Sequence, residues 1–239
     1  MRRIALALTV LLALILITPQ PSAAQATNLV RVIHASPDAP AVDVFVNGQA
    51  VATSVPFFTT SSYLRLADGK YQVAISPAGK GTDYSVLVID LEVSGGYSGS
   101  LVVLDTLENL DAILYDDDLS AVAAGQARVN LYHLSPDTVN VDVKVGGTSN
   151  TVFANLGFGQ ARFSDVPAGT YTFDIYAAGD TEVAVTTPEL RFESGWVYSL
   201  FATGLSGDEN FWVQSRVDLI PGVGALGHNG AARGKITVR

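Results

Sequence analysis

Hydrophobic residues in this chain follow two regimes. From Ile4 to Ile17 they are almost continuous. From residue 29 onward they alternate with polar residues in short runs bounded by Gly, Pro, Asn and Asp, which is the period-two pattern of half-buried β-strands. The first hundred residues of this second regime predict strands at 29–34, 41–47, 60–66, 70–76, 83–93, 97–105 and 110–115. In the second run Val42, Val44 and Val46 face one way, and Asp43, Phe45 and Asn47 the other. In the fifth, Leu87, Ile89, Leu91 and Val93 alternate with Val88, Asp90 and Glu92. Asn47-Gly48 and Asp68-Gly69 are turn dipeptides. No helical stripe is visible beyond the first apolar run. Some seven strands in roughly 95 residues predict an all-β protein built from Greek-key β-sandwiches, immunoglobulin-like or prealbumin-like, with the strand order left open.

The pattern then repeats. Residues 34–48 read HASPDAPAVDVFVNG and residues 133–147 read HLSPDTVNVDVKVGG, 99 positions apart. Val30, Val32 and His34 match Val129, Leu131 and His133. Val42-Asp43-Val44 matches Val141-Asp142-Val143. The offset becomes 100 at Phe58/Phe158, Tyr63/Phe163, Gly69/Gly169 and Tyr71/Tyr171, and returns to 99 at Gly96/Gly195 and Leu101/Leu200. Loop insertions produce such slips, and a single inserted residue between 48 and 58 is expected. The sequence therefore divides into repeat 1 at 27–118, a linker at 119–126 and repeat 2 at 127–220. A tail at 221–239, rich in Gly and without strand period until its last residues, is expected to be disordered.

The first apolar run reads as a secretory signal over residues 1–26. Arg2 and Arg3 precede it, and Ser22-Ala23-Ala24-Gln25-Ala26 supplies a small-residue cleavage site after Ala26 or Ala24. Bacterial export and a secreted or extracellular location follow as expectations, without membrane insertion after cleavage. The formal charge of −9 becomes −11 once Arg2 and Arg3 are removed. That balance disfavours nucleic acid as a partner. Cysteine is absent, which excludes disulfides and thiolate chemistry. Burial alone must supply stability, and 48% hydrophobic residues against 15% charged allow it.

The run VRVIHASPDAPAVDVFVNG, followed by Leu66-Ala67-Asp68-Gly69-Lys70-Tyr71 and then Leu91-Glu92-Val93-Ser94-Gly95-Gly96-Tyr97, resembles the bacterial exported family DUF4397, whose members often carry this unit in tandem. The resemblance covers roughly 29–118 and 127–220. The second copy departs from it where Asp38-Ala39-Pro40-Ala41 becomes Asp137-Thr138-Val139-Asn140. It implies fold, export and repeat number. It carries over no catalytic residue, because the family has no assigned activity.

The repeated motif holds the candidate chemistry: His34, Ser36, Pro37 and Asp38, and His133, Ser135, Pro136 and Asp137. A His–Asp pair in each repeat suits acid–base work or a metal. Strand parity argues for scaffold instead, since His34 shares a face with Val30 and Val32, and Ser-Pro-Asp makes a turn. No local cluster of further ligands points to a metal, and no cofactor is implied. Asp116-Asp117-Asp118 reads as a solvated linker rather than a cation site. Gly96-Tyr97-Ser98-Gly99 and Gly204-Leu205-Ser206-Gly207 miss the nucleophile-elbow spacing. Among the aromatics Trp196, Trp212, Tyr176, Phe57 and Phe58, Tyr176 is the best single candidate for an exposed contact. The reading is a secreted, non-enzymatic repeat protein for extracellular binding or surface architecture, with an unidentified extracellular protein or glycan as partner. A carbohydrate-binding module and a hydrolase using carboxylates or the repeated His/Asp are the alternatives.

Overall fold

The computed structural model describes residues 27–206, 212–219 and 233–238. The segment expected to be a signal, 1–26, and much of the expected tail lie outside these residues. The first repeat forms β1 (Asn28–His34), β2 (Val42–Val46), β3 (Gln49–Val55), β4 (Thr59–Thr60), β5 (Leu64–Leu66), β6 (Gly69–Pro77), β7 (Leu87–Ser94), β8 (Ser98–Leu104) and β9 (Asp111–Asp116). The second forms β10 (Gln126–His133), β11 (Val141–Val145), β12 (Thr151–Leu156), β13 (Gln160–Pro167), β14 (Gly169–Tyr171), β15 (Phe173–Ala177), β16 (Val183–Thr186), β17 (Leu190–Phe192), β18 (Val197–Thr203) and β19 (Trp212–Leu219). A last strand, β20 (Arg233–Val238), follows. No α-helix occurs among the described residues.

Each repeat is a β-sandwich. In the first, one sheet runs β4-β1-β8-β9, with β5 also on β1, and the other runs β20-β7-β6-β2-β3. The chain alternates between them in pairs. Val30, Val32, Val42, Val44, Val73, Ile75, Leu87, Ile89, Leu91 and Val93 fill the space between, as the period-two pattern requires. In the second repeat β13-β10-β18-β19 faces β12-β11-β15-β16, around Val129, Leu131, Val143, Phe153, Phe173, Ile175 and Leu200. The parallel pair recurs in register, with Val32 opposite Leu101 and Leu131 opposite Leu200.

Where the repeats differ, the residues give the reason. Asn47 and Gly48 both have positive φ, 49° and 78°, and close a two-residue hairpin between Val46 and Gln49. In the second repeat the turn lengthens, with Val145 bonding across to Asn150. Two residues are inserted there, not the expected one, and the offset reaches 101: Val42 pairs Val55, and Val141 pairs Leu156. One position is recovered between β4 and β5, which correspond to the continuous β13. Conversely, the single strands β6 and β7 are split in the second repeat into β14/β15 and β16/β17. Pro188, which cannot donate to a ladder, and Thr187, whose Oγ accepts from Phe173 N at 3.0 Å, mark that break.

Three expectations need correction. The hydrophobic period does not predict β3, because most of it is exposed at a sheet edge and shows no apolar alternation. The predicted strand 83–93 begins only at Leu87, after a 3₁₀ turn at Thr82–Tyr84. The tail is not wholly irregular: β20 pairs antiparallel with β7 over six residues, and Ile236 and Val238 pack on the first core.

The two sandwiches stack. β1, β8 and β18 are buried along their whole length, and β10 at all but its first residue. A strand buried on both faces needs a second layer behind it. That layer is the other repeat, since Ile33, Val102, Leu104 and Tyr115 of the first pack with Tyr132, Leu134 and Phe201 of the second.

Candidate functional site

The His-x-Ser-Pro-Asp motif sits at the exit of the first strand of each sandwich. Both imidazoles are 1% exposed. His34 Nε2 lies 3.2 Å from Pro40 O and His133 Nε2 3.1 Å from Val139 O, six residues on in each case. The ring N–H donates to the carbonyl and so closes the turn. Thr138 Oγ is also 3.2 Å from His133 Nε2. Nδ1 of both rings is buried without a hydrogen-bond partner. Burial lowers both histidine pKa values, with the carbonyl bond pulling the other way. Each ring also meets an aromatic edge, Phe57 at 6.4 Å and Phe158 at 6.5 Å. Phe158 is thus the counterpart of Phe57, not of Phe58 as the sequence match implies, and the inserted turn residues explain the difference.

The motif aspartates do not reach the histidines. Asp38 Oδ1 accepts from Leu107 N at 2.8 Å. Asp137 accepts from Ser206 N and from Ser206 Oγ at 2.7 Å. Both carboxylates pin the loop that follows the parallel partner strand. Ser135 donates to Gly204 O at 2.6 Å, whereas Ser36 Oγ is buried without a partner. Pro37 lies in a bend and Pro136 in a turn, as their fixed φ favours. The geometry assembles no His–Asp acid–base pair, and no group of three or more metal-ligating side chains occurs among the described residues.

A second repeated carboxylate, in the V-D-V run, does more than its outward parity suggested. Asp43 accepts from Ser54 N at 2.8 Å and Gly79 N at 2.8 Å. Asp142 accepts from Asn155 N at 2.7 Å and Gly179 N at 3.0 Å. Ser54 and Asn155 are the positive-φ residues of their strands, at 51° and 50°. One carboxylate thus ties a bulged edge strand to a turn in each repeat. The identity of the two runs was the visible signal.

The acidic run corrects the reading of a solvated linker. Asp117 is 2% exposed. It accepts from Ser100 Oγ at 2.7 Å, Tyr63 Oη at 2.8 Å and Tyr132 Oη at 2.8 Å, and faces Arg31 at 3.6 Å. Arg31, fully buried, also bonds Ser100 Oγ at 2.6 Å, Ser199 Oγ at 3.2 Å and the Asp218 carboxylate. Burial works against the Arg31 charge, and Asp117 and Asp218 more than offset it, raising its pKa. Asp118 pairs with Arg128 at 2.8 Å. These bonds join the two sandwiches. No sequence signal marked Arg31, because its counterpart is Asn130.

Tyr176, the candidate for an exposed contact, lies on the second repeat. Tyr176 alternates with the core residues Phe173 and Ile175 and is half-buried, with Lys144 Nζ 4.2 Å above its ring. A groove of about 300 Å³ runs past it, lined by Asp137, Val139, Val141, Tyr176, Val185 and Ser206 among others. Val139 is 65% exposed. Among the described residues, the other candidate aromatics form no row with Tyr176. Phe58 packs on Phe201 at 5.4 Å across the stack, Trp196 stacks on Tyr198, and exposed Phe163 lies under Arg128. The Trp212 side chain falls outside the described residues.

The sequence profile of DUF4397, described as a domain of unknown function, matches residues 28–144 and again 129–218. The chain belongs to the DUF4397 family. No curated protein matches this DUF4397 chain. Among solved structures it is similar to CBMbc (family CBM26) from Eubacterium rectale Amy13K, crystallised with maltoheptaose. The identity is 10%, over 81% of this chain and 98% of that one, with a TM-score of 0.27. That likeness says nothing about what this DUF4397 protein binds.

Proposed function

We propose that this chain is an exported, non-enzymatic protein whose two β-sandwiches act as one block in extracellular binding or surface architecture. The observation that carries the reading is the stack itself. With β1, β8, β10 and β18 buried on both faces, the outer sheets and the loops at their ends are left for contact. The repeated histidines and aspartates support it, because each is engaged in fixing its own turn or loop. The contact surface on this reading is the groove beside Tyr176 and Val139. Export rests on the leader pattern alone, and an intact mass beginning at Thr27 or Gln25 in the culture medium supports it; a retained Met1 refutes it.

Carbohydrate is the second reading. Tyr176 offers a ring with Asp137 and a hydroxyl of Ser206 in the same groove, a combination that suits a polyol. A glycan and peptide array probed with residues 27–239 separates the readings. Binding to protein-derived peptides that is lost in Tyr176→Ala and Val139→Asp supports the first. Glycan binding lost in the same variants supports the second. Turnover of any arrayed substrate refutes the non-enzymatic assignment.

A further inference from the structure

We propose that the outer edge of β7, filled in this structure by the chain's own β20, also accepts the C-terminal segment 233–238 of a second copy of this chain, so that copies join by exchanging β20. The inference deepens the surface-architecture reading, since it names the partner and the contact.

β20 belongs to the end of the second repeat, yet it sits in the outer sheet of the first. It pairs there residue for residue, from Arg233 opposite Ser94 to Val238 opposite Ile89. The fit is specific. Ile236 and Val238 pack on the first core. Lys235 lies opposite Glu92, which also faces Lys70 at 3.7 Å. Lys70, Gln72, Asp90, Glu92, Lys235 and Thr237 line one groove across this face. Main-chain bonds with alternate side chains in pockets are how an extended segment augments a sheet edge. Nothing in this pairing depends on which copy supplies the strand.

Chain length allows both sources. Thirteen residues separate Leu219 from Arg233, enough to span roughly 45 Å when extended. Tethering keeps the local concentration of the copy's own strand near the mM range. Exchange therefore needs neighbours at about that density, as in a crowded surface layer. Each copy carries one donor and one acceptor. The corresponding edge in the second repeat is broken at Pro188, leaving β17 three residues long, too short to seat six residues. Strand exchange then closes two copies reciprocally or runs from copy to copy.

The absence of cysteine makes a clean test. Asp90 and Thr237 are directly opposed. Residues 27–239 carrying Asp90→Cys and a size tag are mixed with untagged residues 27–239 carrying Thr237→Cys, over a range from µM to mM, and oxidised. The expected result is a mixed disulfide that grows with concentration and disappears when Ile236→Asp is added to the Thr237→Cys chain. The double variant Asp90→Cys/Thr237→Cys should close within one chain at low concentration. A mixed product that persists with Ile236→Asp overturns the proposal as random collision. An internal disulfide with no mixed product at any concentration overturns exchange. No internal disulfide overturns the seat of β20 itself. None of these outcomes bears on the groove beside Tyr176, so this inference and the array result can fail separately.

Discussion

The Nδ1 atoms of His34 and His133 are buried without a hydrogen-bond partner. With Nε2–H given to a carbonyl, a second proton on Nδ1 would be a buried charge with no acceptor. Burial accordingly lowers both pKa values. Between the folded value and the ordinary value of about 6.5, the unfolded chain binds more protons than the folded one, and stability falls as pH falls. The contribution of each ring is complete above about pH 6.5 and is lost through the acid side of that value. His34→Ala and His133→Ala should each cost about 1–3 kcal/mol near neutrality, for a turn carbonyl left unpaired. The double variant should also melt with a flatter dependence on pH between about 7.5 and 5. Thermal melts at several pH values check both. An unchanged melting temperature and pH profile would overturn the scaffold role. The burial of these rings was legible from strand parity alone. Their partners were not, because a backbone carbonyl leaves no mark in a sequence.

At the scale of elements, alternation revealed the strands that bury one face and missed those that bury none. β3 is the clearest case, since an edge strand exposed over most of its residues has no period to read. The split of β14 from β15 and of β16 from β17 had a visible cause in Pro188, but only the pairing shows that the first repeat has no such break. Asp43 and Asp142 stood in identical V-D-V runs, yet side-chain parity cannot say that a carboxylate turns back onto Ser54 N and Gly79 N. Asp43→Ala removes two bonds to a charged acceptor and should cost about 1.5–3 kcal/mol in denaturant unfolding. Asp142→Ala should cost less, because its site is more open and water can replace the carboxylate. Equal losses at the two sites would contradict this account. The Asp142 pKa is lowered, chiefly by the Gly179 and Asn155 N–H bonds. Its contribution is therefore present above the ordinary aspartate value and disappears as pH falls through the lower folded value.

At the scale of the whole molecule, duplication was legible and docking was not. The repeat predicts two sandwiches. It does not predict that β1 and β10 are covered on their second faces, because the residues there differ between copies: Arg31 against Asn130, Ile33 against Tyr132, Val102 against Phe201. Those differences make the interface. Tyr132 stacks on Phe201 at 4.8 Å and meets Tyr115 edge-on at 5.2 Å. Arg31 spans the junction between Asp117 on its own repeat and Asp218 on the other. Two identical sandwiches could meet in several registers, whereas a buried guanidinium with fixed carboxylate partners permits one. The halves should therefore not behave as independent domains. Residues 27–118 alone would expose Ile33, Val102, Leu104 and an Arg31 stripped of Asp218, and should bind a hydrophobic dye or aggregate. The intact chain should unfold in one transition. Arg31→Ala leaves two buried carboxylates uncompensated and should cost about 3–5 kcal/mol. Asp218→Ala should cost less, since Asp117 still holds the guanidinium. In a double-mutant cycle the pair should show coupling of at least about 1 kcal/mol. Two separate transitions in calorimetry, with Arg31→Ala lowering only the first repeat's, would show that the sandwiches merely touch and that Arg31 serves its own repeat alone.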